Sequence, residues 1–465
     1  MHITQEQIHG FWIARERFFN TTLSTEMPCE FTYNFSDLCK NDILHAIDIY
    51  KNVELSAICT VLSVKYKISE LYNQIKECIN QKHRVYILGC GASARLAVLL
   101  RRLWEIENPD LAGRVISVCA GGDVALVHSI EHFEDSTQLG LSQLQQQGFT
   151  QDDLLIGLSA SGESPFVTAC IEYAQSNRYN PWLICNNSLK DILIRNPQHI
   201  TKLNNVKCLP LDVGAMVLTG STRLQATSAM QIAVGTALCA SSVVDIQNTM
   251  ELIYSALKNI ELSLLENLIK HESNIINKGE FILYQTNDNI LGLSLLADIT
   301  ERAPTFNITQ FENYTSNHND GKYSPFYLAL SNVDNCKKAW QFLLNQPPIC
   351  LNWSQYYDTS TQYMDGFDIS SNNKRATAIH LPNRQHNENW LSENNKLTIT
   401  LANEKISFPL KNNNQLANSL IYKYLLNTHS TIMFGILGAF EGNLMLSVTP
   451  TNYKLMDRAI RYSKF

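Results

Sequence analysis

Residues 84–106 read RVYILGCGASARLAVLLRRLWEI, which divides into an apolar run, a turn with glycines on either side of Cys90, and a long amphipathic run from Ser93 onward. A short apolar run closed by glycine reads as a buried strand, and apolar residues then spaced by three and four read as a helix. The same unit returns in RVISVCAGGD (114–123), in DDLLIGLSASGES (152–164) followed by PFVTACIEYAQ (165–175), and in PWLICNNS (181–188). Strands alternating with helices predict an α/β fold with a mainly parallel sheet flanked by helices on both faces.

Working outward, the run from Asp42 to Ile79 carries apolar residues at helical spacing, so the N-terminal segment is expected to be helical. Downstream, residues 211–240 read as a loop leading into a long helix of small residues, and 246–278 as a helical connection. A second unit then opens with GEFILYQTND (279–288), the helical ILGLSLLADIT (290–300) and the strand SPFYLALSN (324–332). The helix KKAWQFLLNQ (337–346) and an expected strand PPICLNW (347–353) follow, so the second unit resembles a diverged copy of the first. From about residue 354 to 414 the chain is asparagine-rich, and only short strands such as KLTITL (396–401) stand out. The expected division is an N-terminal helical segment (1–50), a first module (51–245), a degenerate second module (246–425) and a helical tail completing the site (426–465). Such a chain would be an intrachain pseudo-dimer.

A length of 465 residues exceeds what one core usually serves, which agrees with two units. A net charge of -6 argues against general affinity for nucleic acid or anionic membranes, so an anionic ligand must be held by local groups. No apolar stretch approaches the roughly 20 residues needed to span a bilayer, and the N-terminus lacks the pattern of a secretory signal. A cytoplasmic protein is the expectation. The 12 cysteines are scattered without a C-x-x-C pair, and Cys90, Cys119, Cys170 and Cys185 lie in apolar runs, which reads as free thiols.

In open parallel sheets, ligands bind at the carboxyl ends of strands. Two loops lie there. GCGASAR (89–95) can turn backbone N–H groups of Gly91 and its neighbours toward an anion while Ser93 adds a hydroxyl. It lacks both a complete G-x-G-x-x-G and a P-loop lysine, so a nucleotide is not favoured. SASGESP (159–165) sets Ser159, Ser161 and Ser164 around Gly162 at a helix start, where three hydroxyls can encircle phosphate oxygens. The plainer reading, a serine-capped helix, needs only one hydroxyl. Glu131 and Glu134 are spaced to share a helix side, as a general base or as a solvated terminus. His128 and His132 lack a third ligand at local spacing, so no metal is expected.

Five ordered motifs, GCGASARLAVL, AGGDVALVHSIEHFEDS, GLSASGESPFV, LTGSTRLQATSA and EGNLMLSVTPTNYKL, resemble the sugar isomerase (SIS) superfamily. Within it the likeness is to the branch of N-acetylmuramic acid 6-phosphate etherases and glucokinase regulatory proteins. ILGLSLLADITERAPTF resembles that branch's glutamate-bearing helix, and its place after a second strand resembles the two-module layout of the regulatory proteins. The resemblance implies a bound sugar 6-phosphate, no cofactor or metal, and, for an etherase, elimination of the lactyl ether followed by hydration. The base position matches Glu134 and the acid position Glu301, whereas Leu103 stands at the corresponding point of the first unit. Thr219, Ser221 and Thr222 are expected to shape the same crevice, and Lys454 to contact phosphate or substrate oxygens.

The departures from the family pattern are Met216 at an acidic position, Leu224 and Gln225 after Arg223 in place of an R-M-K triplet, and Glu163 where a basic residue is common. Glu163 would bring a negative charge near the phosphate loop. Beside the lyase stands a non-catalytic phosphosugar sensor with a protein partner such as a sugar kinase. An aldose–ketose isomerase fits the motif order less well.

Overall fold

The computed structural model describes residues 9–12, 22–128, 130–195, 205–314, 323–351, 358–373, 384–448, 450 and 452–462. Two long helices, α1 (Ile43–Ser63) and α2 (Lys65–Asn80), precede the first sheet, each burying one apolar stripe. Asp42 caps α1 by accepting from the His45 N–H at 3.1 Å.

The first sheet is wholly parallel, with strands β1 (Val85–Gly89), β2 (Val115–Cys119), β3 (Leu154–Leu158), β4 (Trp182–Cys185) and β5 (Lys207–Pro210) in the spatial order β2-β1-β3-β4-β5. Strands β1 and β3 are buried along their whole length, which is why they read as unbroken apolar runs. The strand order reverses at β1 and β3, and the crevice at a reversal of this kind is where such sheets bind ligands. Helices α3 (Ala92–Glu107) and α4 (Pro165–Tyr173) start directly beyond these two strands. Helix α5 (Gln225–Cys239) is buried from Gln225 to Leu238, so its small residues serve close helix packing.

The second sheet holds β6 (Phe281–Thr286), β7 (Phe326–Leu330), β8 (Gln385–Glu393), β9 (Lys396–Leu401) and β10 (Glu404–Pro409) in the order β10-β9-β8-β6-β7. Its β7-β6-β8 half is parallel, as in the first unit, while β8, β9 and β10 form an antiparallel meander. The α/β class expected from the sequence therefore holds, with a mixed second sheet. The polar run 385–393 is a strand because Trp390 and Glu388 point into the core, where the indole Nε1 donates to Glu388 at 2.7 Å. The expected strand at 347–353 is not one where the structure describes it. Ile349 instead exchanges bonds with Asp123: its N–H donates to the Asp123 carboxylate at 2.7 Å, and its carbonyl accepts from the Asp123 N–H at 2.8 Å.

Helix α6 (Asn289–Phe306) of the second unit and helix α7 (Gln415–Ile436) pack against each other, with the Phe306 and Phe434 rings stacked at 4.0 Å. Arg101 and Arg102 on α3 share Glu105 as an ion partner and donate to the carbonyls of Leu344 and Leu343, tying the two units together. Helix α8 (Tyr453–Tyr462) closes the described chain. No described helix is long and apolar enough to cross a membrane.

Candidate functional site

The β1–α3 turn supplies the first part of the site. Gly91 has φ +53°, a conformation open to glycine, and a Cβ built there would meet nothing within 4 Å. The backbone is thus bare toward the cleft at the start of α3. Ser93 lies in the first turn of that helix and is buried. The second part is the β3–α4 loop. There the Ser159 hydroxyl accepts from the N–H groups of Gly162 (3.1 Å) and Ser164 (3.4 Å), which curls the loop around it. Ser161 Oγ lies 3.5 Å from Ser159 Oγ and accepts from the Glu163 N–H at 3.2 Å.

Gly91, Ser93, Ser159, Ser161 and Ser164 all line one cleft of about 980 Å³. Ser221, Thr222, Glu134, Glu301 and Lys454 line it too, so ten of the twelve expected site residues meet there. The other two do not line it. Gly162 packs against Ile192, which lies 2.6 Å from where its Cβ would be, and its φ of +76° makes the loop's bend. Thr219 donates from Oγ1 to Asn443 at 3.0 Å and serves as a strap to the C-terminal hairpin at Phe440–Met445. The side chain of Glu131 lies outside the described residues, as does that of His132. No cluster of metal-ligating side chains occurs among the described residues.

Glu163, Lys454 and Gln225 each have a partner within the protein. Glu163 does not face the cleft. Its buried carboxylate accepts from Arg195 Nε at 2.8 Å, so the extra negative charge is paired, in a smaller adjoining pocket that Glu163 lines with Ser161 and Ser164. Lys454 contacts Glu134, with Nζ at 3.3 Å from both carboxylate oxygens, and Asn452 Nδ2 donates to the same group at 3.1 Å. Gln225, standing in for a lysine, donates to buried Glu54 at 2.9 Å.

Glu301 reaches the cleft from the second unit, on α6. Burial pushes its carboxyl above the usual range, against the opposing pull of Arg95, Lys423 and Arg223. Three residues earlier on that helix, buried Asp298 accepts from Arg223 Nη1 (3.1 Å), Arg302 Nη2 (2.6 Å) and Ser430 Oγ (2.8 Å), a knot that locks α6 to the first unit and to α7.

The sequence left other cleft residues unassigned. Arg95, two residues after Ser93, lies within a motif already singled out, so a signal for it existed. Arg458, four residues after Lys454, shares that residue's helix face. Its guanidinium meets Glu26 at 2.7 Å and the Gly220 carbonyl at 2.8 Å. Glu26 is separated from Arg458 by 432 positions, and no local pattern marks it.

The family model described as the glucokinase regulatory protein N-terminal SIS domain matches residues 67–175. N-acetylmuramic acid 6-phosphate etherase of Photorhabdus laumondii is 32% identical over 171 residues, 36% of this chain and 52% of that protein. The chain thus spans about half the length of that relative. The etherase of Aliivibrio fischeri (strain ATCC 700601 / ES114) is 30% identical over 216 residues, 46% of this chain and 67% of its own. Tagatose-6-phosphate ketose/aldose isomerase from Escherichia coli, a solved structure, aligns with a TM-score of 0.44 and 12% identity, covering 86% of this chain and 97% of its own. With serine-bearing loops at the ends of β1 and β3 and the sequence likeness running through both, this chain belongs to the SIS superfamily, in the branch of the N-acetylmuramic acid 6-phosphate etherases and glucokinase regulatory proteins.

Proposed function

We propose that the chain binds a sugar 6-phosphate in this cleft and acts on it as an etherase-like lyase, releasing D-lactate from N-acetylmuramic acid 6-phosphate in the cytoplasm. The observation that carries the reading is the joint placement of two hydroxyl-bearing loops and two glutamates around one cavity. The loops of Ser93 and Ser159–Ser164 hold the phosphate through hydroxyls, N–H groups and helix starts. Glu134, held in place by Lys454 and Asn452, takes the proton from the carbon next to the sugar carbonyl of the open-chain form. The electron pair left behind expels the ether oxygen on the following carbon, and Glu301, whose carboxyl burial pushes upward, gives that oxygen its proton. Water then adds across the double bond, its hydroxyl to the carbon that lost lactate and its proton to the neighbouring carbon. No organic cofactor or metal enters this sequence.

The test is lactate release from N-acetylmuramic acid 6-phosphate by the full chain, with Glu134→Gln and Glu301→Gln as controls. Each variant is expected to lose about 10²–10⁴-fold in rate, the usual worth of a positioned acid or base. Absence of release by the unaltered protein sinks the lyase reading. The phosphate loop is tested separately: Ser159→Ala with Ser161→Ala should weaken hexose 6-phosphate binding by at least about tenfold, since hydrogen bonds to charged groups are worth about 1.5–3 kcal/mol each.

One observation favours a second reading, that of a phosphosugar sensor. The cleft is walled by four distant parts of the chain, including Glu26, Ser159, Glu301 and Arg458. A ligand there would bias how these parts sit together, and hence the affinity for a protein partner such as a sugar kinase. Tight binding without lactate release would favour it.

A further inference from the structure

A separate cavity of about 970 Å³ lies along the outer edge of the first sheet, away from the cleft. Strand β2 forms that edge, and Val115, Ile116 and Ser117 line the cavity. Successive residues of a strand point to opposite faces. Ile116 is level with Tyr86, whose hydroxyl donates to the Gln147 carbonyl at 3.0 Å, so it looks toward the end of the helix Thr137–Gln146. Ser117 looks the other way, toward α3, where its hydroxyl accepts from Arg101 Nε at 3.1 Å. Walls drawn from both faces mean that the space runs past the strand edge itself. The Ala120 N–H donates inward to Gly89 of β1 at 3.1 Å, so by the alternation of the ladder the main-chain N–H and carbonyl groups of Val115, Ser117 and Cys119 face outward.

At Cys119 that edge is already occupied. Gln143 Nε2 donates to the Cys119 carbonyl at 2.6 Å and its Oε1 accepts from the Gly121 N–H at 3.2 Å, as a neighbouring strand would. One helical turn on, Gln147 lines the cavity, and its amide oxygen and nitrogen are both buried with no hydrogen-bond partner among the described residues. The outward groups of Val115 and Ser117 have none there either. Buried polar groups left in this state are costly, and here donors and acceptors stand side by side along an open edge. The far wall, with Asn345, Gln346 and Ile349 of the second unit, is fixed: Arg101 Nη2 donates to the Leu344 carbonyl at 2.9 Å, and Ile349 is bonded to Asp123. A slot closed on that side admits one chain at the usual strand spacing of about 4.8 Å, and not the edge of another sheet. Its charged wall residues, Arg101 and Glu105, are paired with each other. We propose that this slot docks a single extended, uncharged peptide segment of another protein, which adds a strand to β2 at Val115–Ser117 and bonds a main-chain amide to Gln147. The proposal stands apart from the phosphosugar reading, since the slot lies at the amino end of β2 and the cleft at the carboxyl ends of β1 and β3.

Hydrogen exchange on the full chain tests this, with acetylated and amidated pentapeptides that alternate threonine with valine, isoleucine, leucine or phenylalanine as probes. At saturation at least one should slow exchange of the Val115 and Ser117 N–H groups by about tenfold. The same peptide methylated on its main-chain nitrogens keeps its side chains but loses its donors, and should bind at least about tenfold more weakly. Gln147→Ala should weaken binding by about tenfold and leave the urea midpoint unchanged, because the amide it removes has no partner to lose. Gly113→Phe should abolish binding: Gly113 lines the slot, and a Cβ there meets nothing within 4 Å, so the ring enters open space without disturbing the fold. Both variants should keep hexose 6-phosphate affinity within about twofold. Absence of protection by every probe, equal binding of the methylated peptide, or protection that survives Gly113→Phe overturns the proposal. Slow exchange at Val115 and Ser117 in the free chain that quickens on dilution would assign the edge to a second copy and likewise overturn it.

Discussion

Replacing Asp298 by asparagine should cost this protein more than any surface charge change, and the reason lies in what the carboxylate holds. Asp298 is 3% exposed and receives Arg223 at 3.1 Å, Arg302 at 2.9 and 2.6 Å and Ser430 at 2.8 Å. These donors come from three places: the loop before α5, α6 itself and α7. Asparagine keeps the shape but removes the charge and turns an amide N–H₂ toward one arginine, leaving two guanidinium groups buried with their counter-ion gone. Breaking a buried pair in this way costs about 3–5 kcal/mol, a large part of the roughly 5–15 kcal/mol that holds a folded domain. Urea unfolding gives the measurement, read as a shift in midpoint at unchanged slope. Glu266→Gln provides the control, because its partner Lys270 is on the surface and such pairs contribute only about 0–1 kcal/mol. A loss for Asp298→Asn no larger than the control's would refute the claim that this knot fastens α6 to the first unit. If the knot does fasten α6, the proposed lyase activity falls as well, since Glu301 sits three residues further along the same helix.

Other outcomes follow from the site. Burial would raise the Glu26 carboxyl, but Arg458 and Arg461 outweigh it and hold the group down to about 2. A depressed carboxylate contributes stability above its unfolded value and loses it as pH falls through the folded one. The stability gap between the unaltered protein and Glu26→Gln should therefore be full at neutral pH and close between about pH 5 and pH 2; a gap that persists at the acid end contradicts this. Glu301 has the opposite sign. In the proposed lyase reaction its raised carboxyl acts in the protonated form, so the rate should fall as pH rises through its value, and Glu301→Gln should lack that alkaline limb. Gly220 has φ +72° and a Cβ there would lie 2.6 Å from Arg458 Nε. Gly220→Ala should displace α8 and weaken hexose 6-phosphate binding, while a variant that binds normally would show that Arg458 is not needed in the cleft.

Much of the first unit was legible in the sequence because its signals are local. A buried parallel strand reads as an apolar run, the glycine that ends it marks the turn, and the hydroxyls of residues 159–164 sit together in the chain as they do in space. The same locality made 385–393 opaque: in β8 the inward groups include Glu388, and a buried carboxyl beside a tryptophan carries no periodic mark. The segment 347–351 misled for a related reason, since its apolar residues dock on Asp123 through backbone bonds and do not extend a sheet.

From the sequence alone came the α/β class, the two serine-bearing loops and each candidate glutamate singly, all of which depend on motifs local in the chain. Tertiary structure alone decided that Glu134 and Glu301, 167 positions apart, face one cavity, that Glu163 is silenced by Arg195, and that Glu26 and Arg458 close the cleft from opposite ends of the chain. Electrostatic partnership is set by distance through space, and a buried charge finds its partner wherever the fold brings one, so no local pattern announces it.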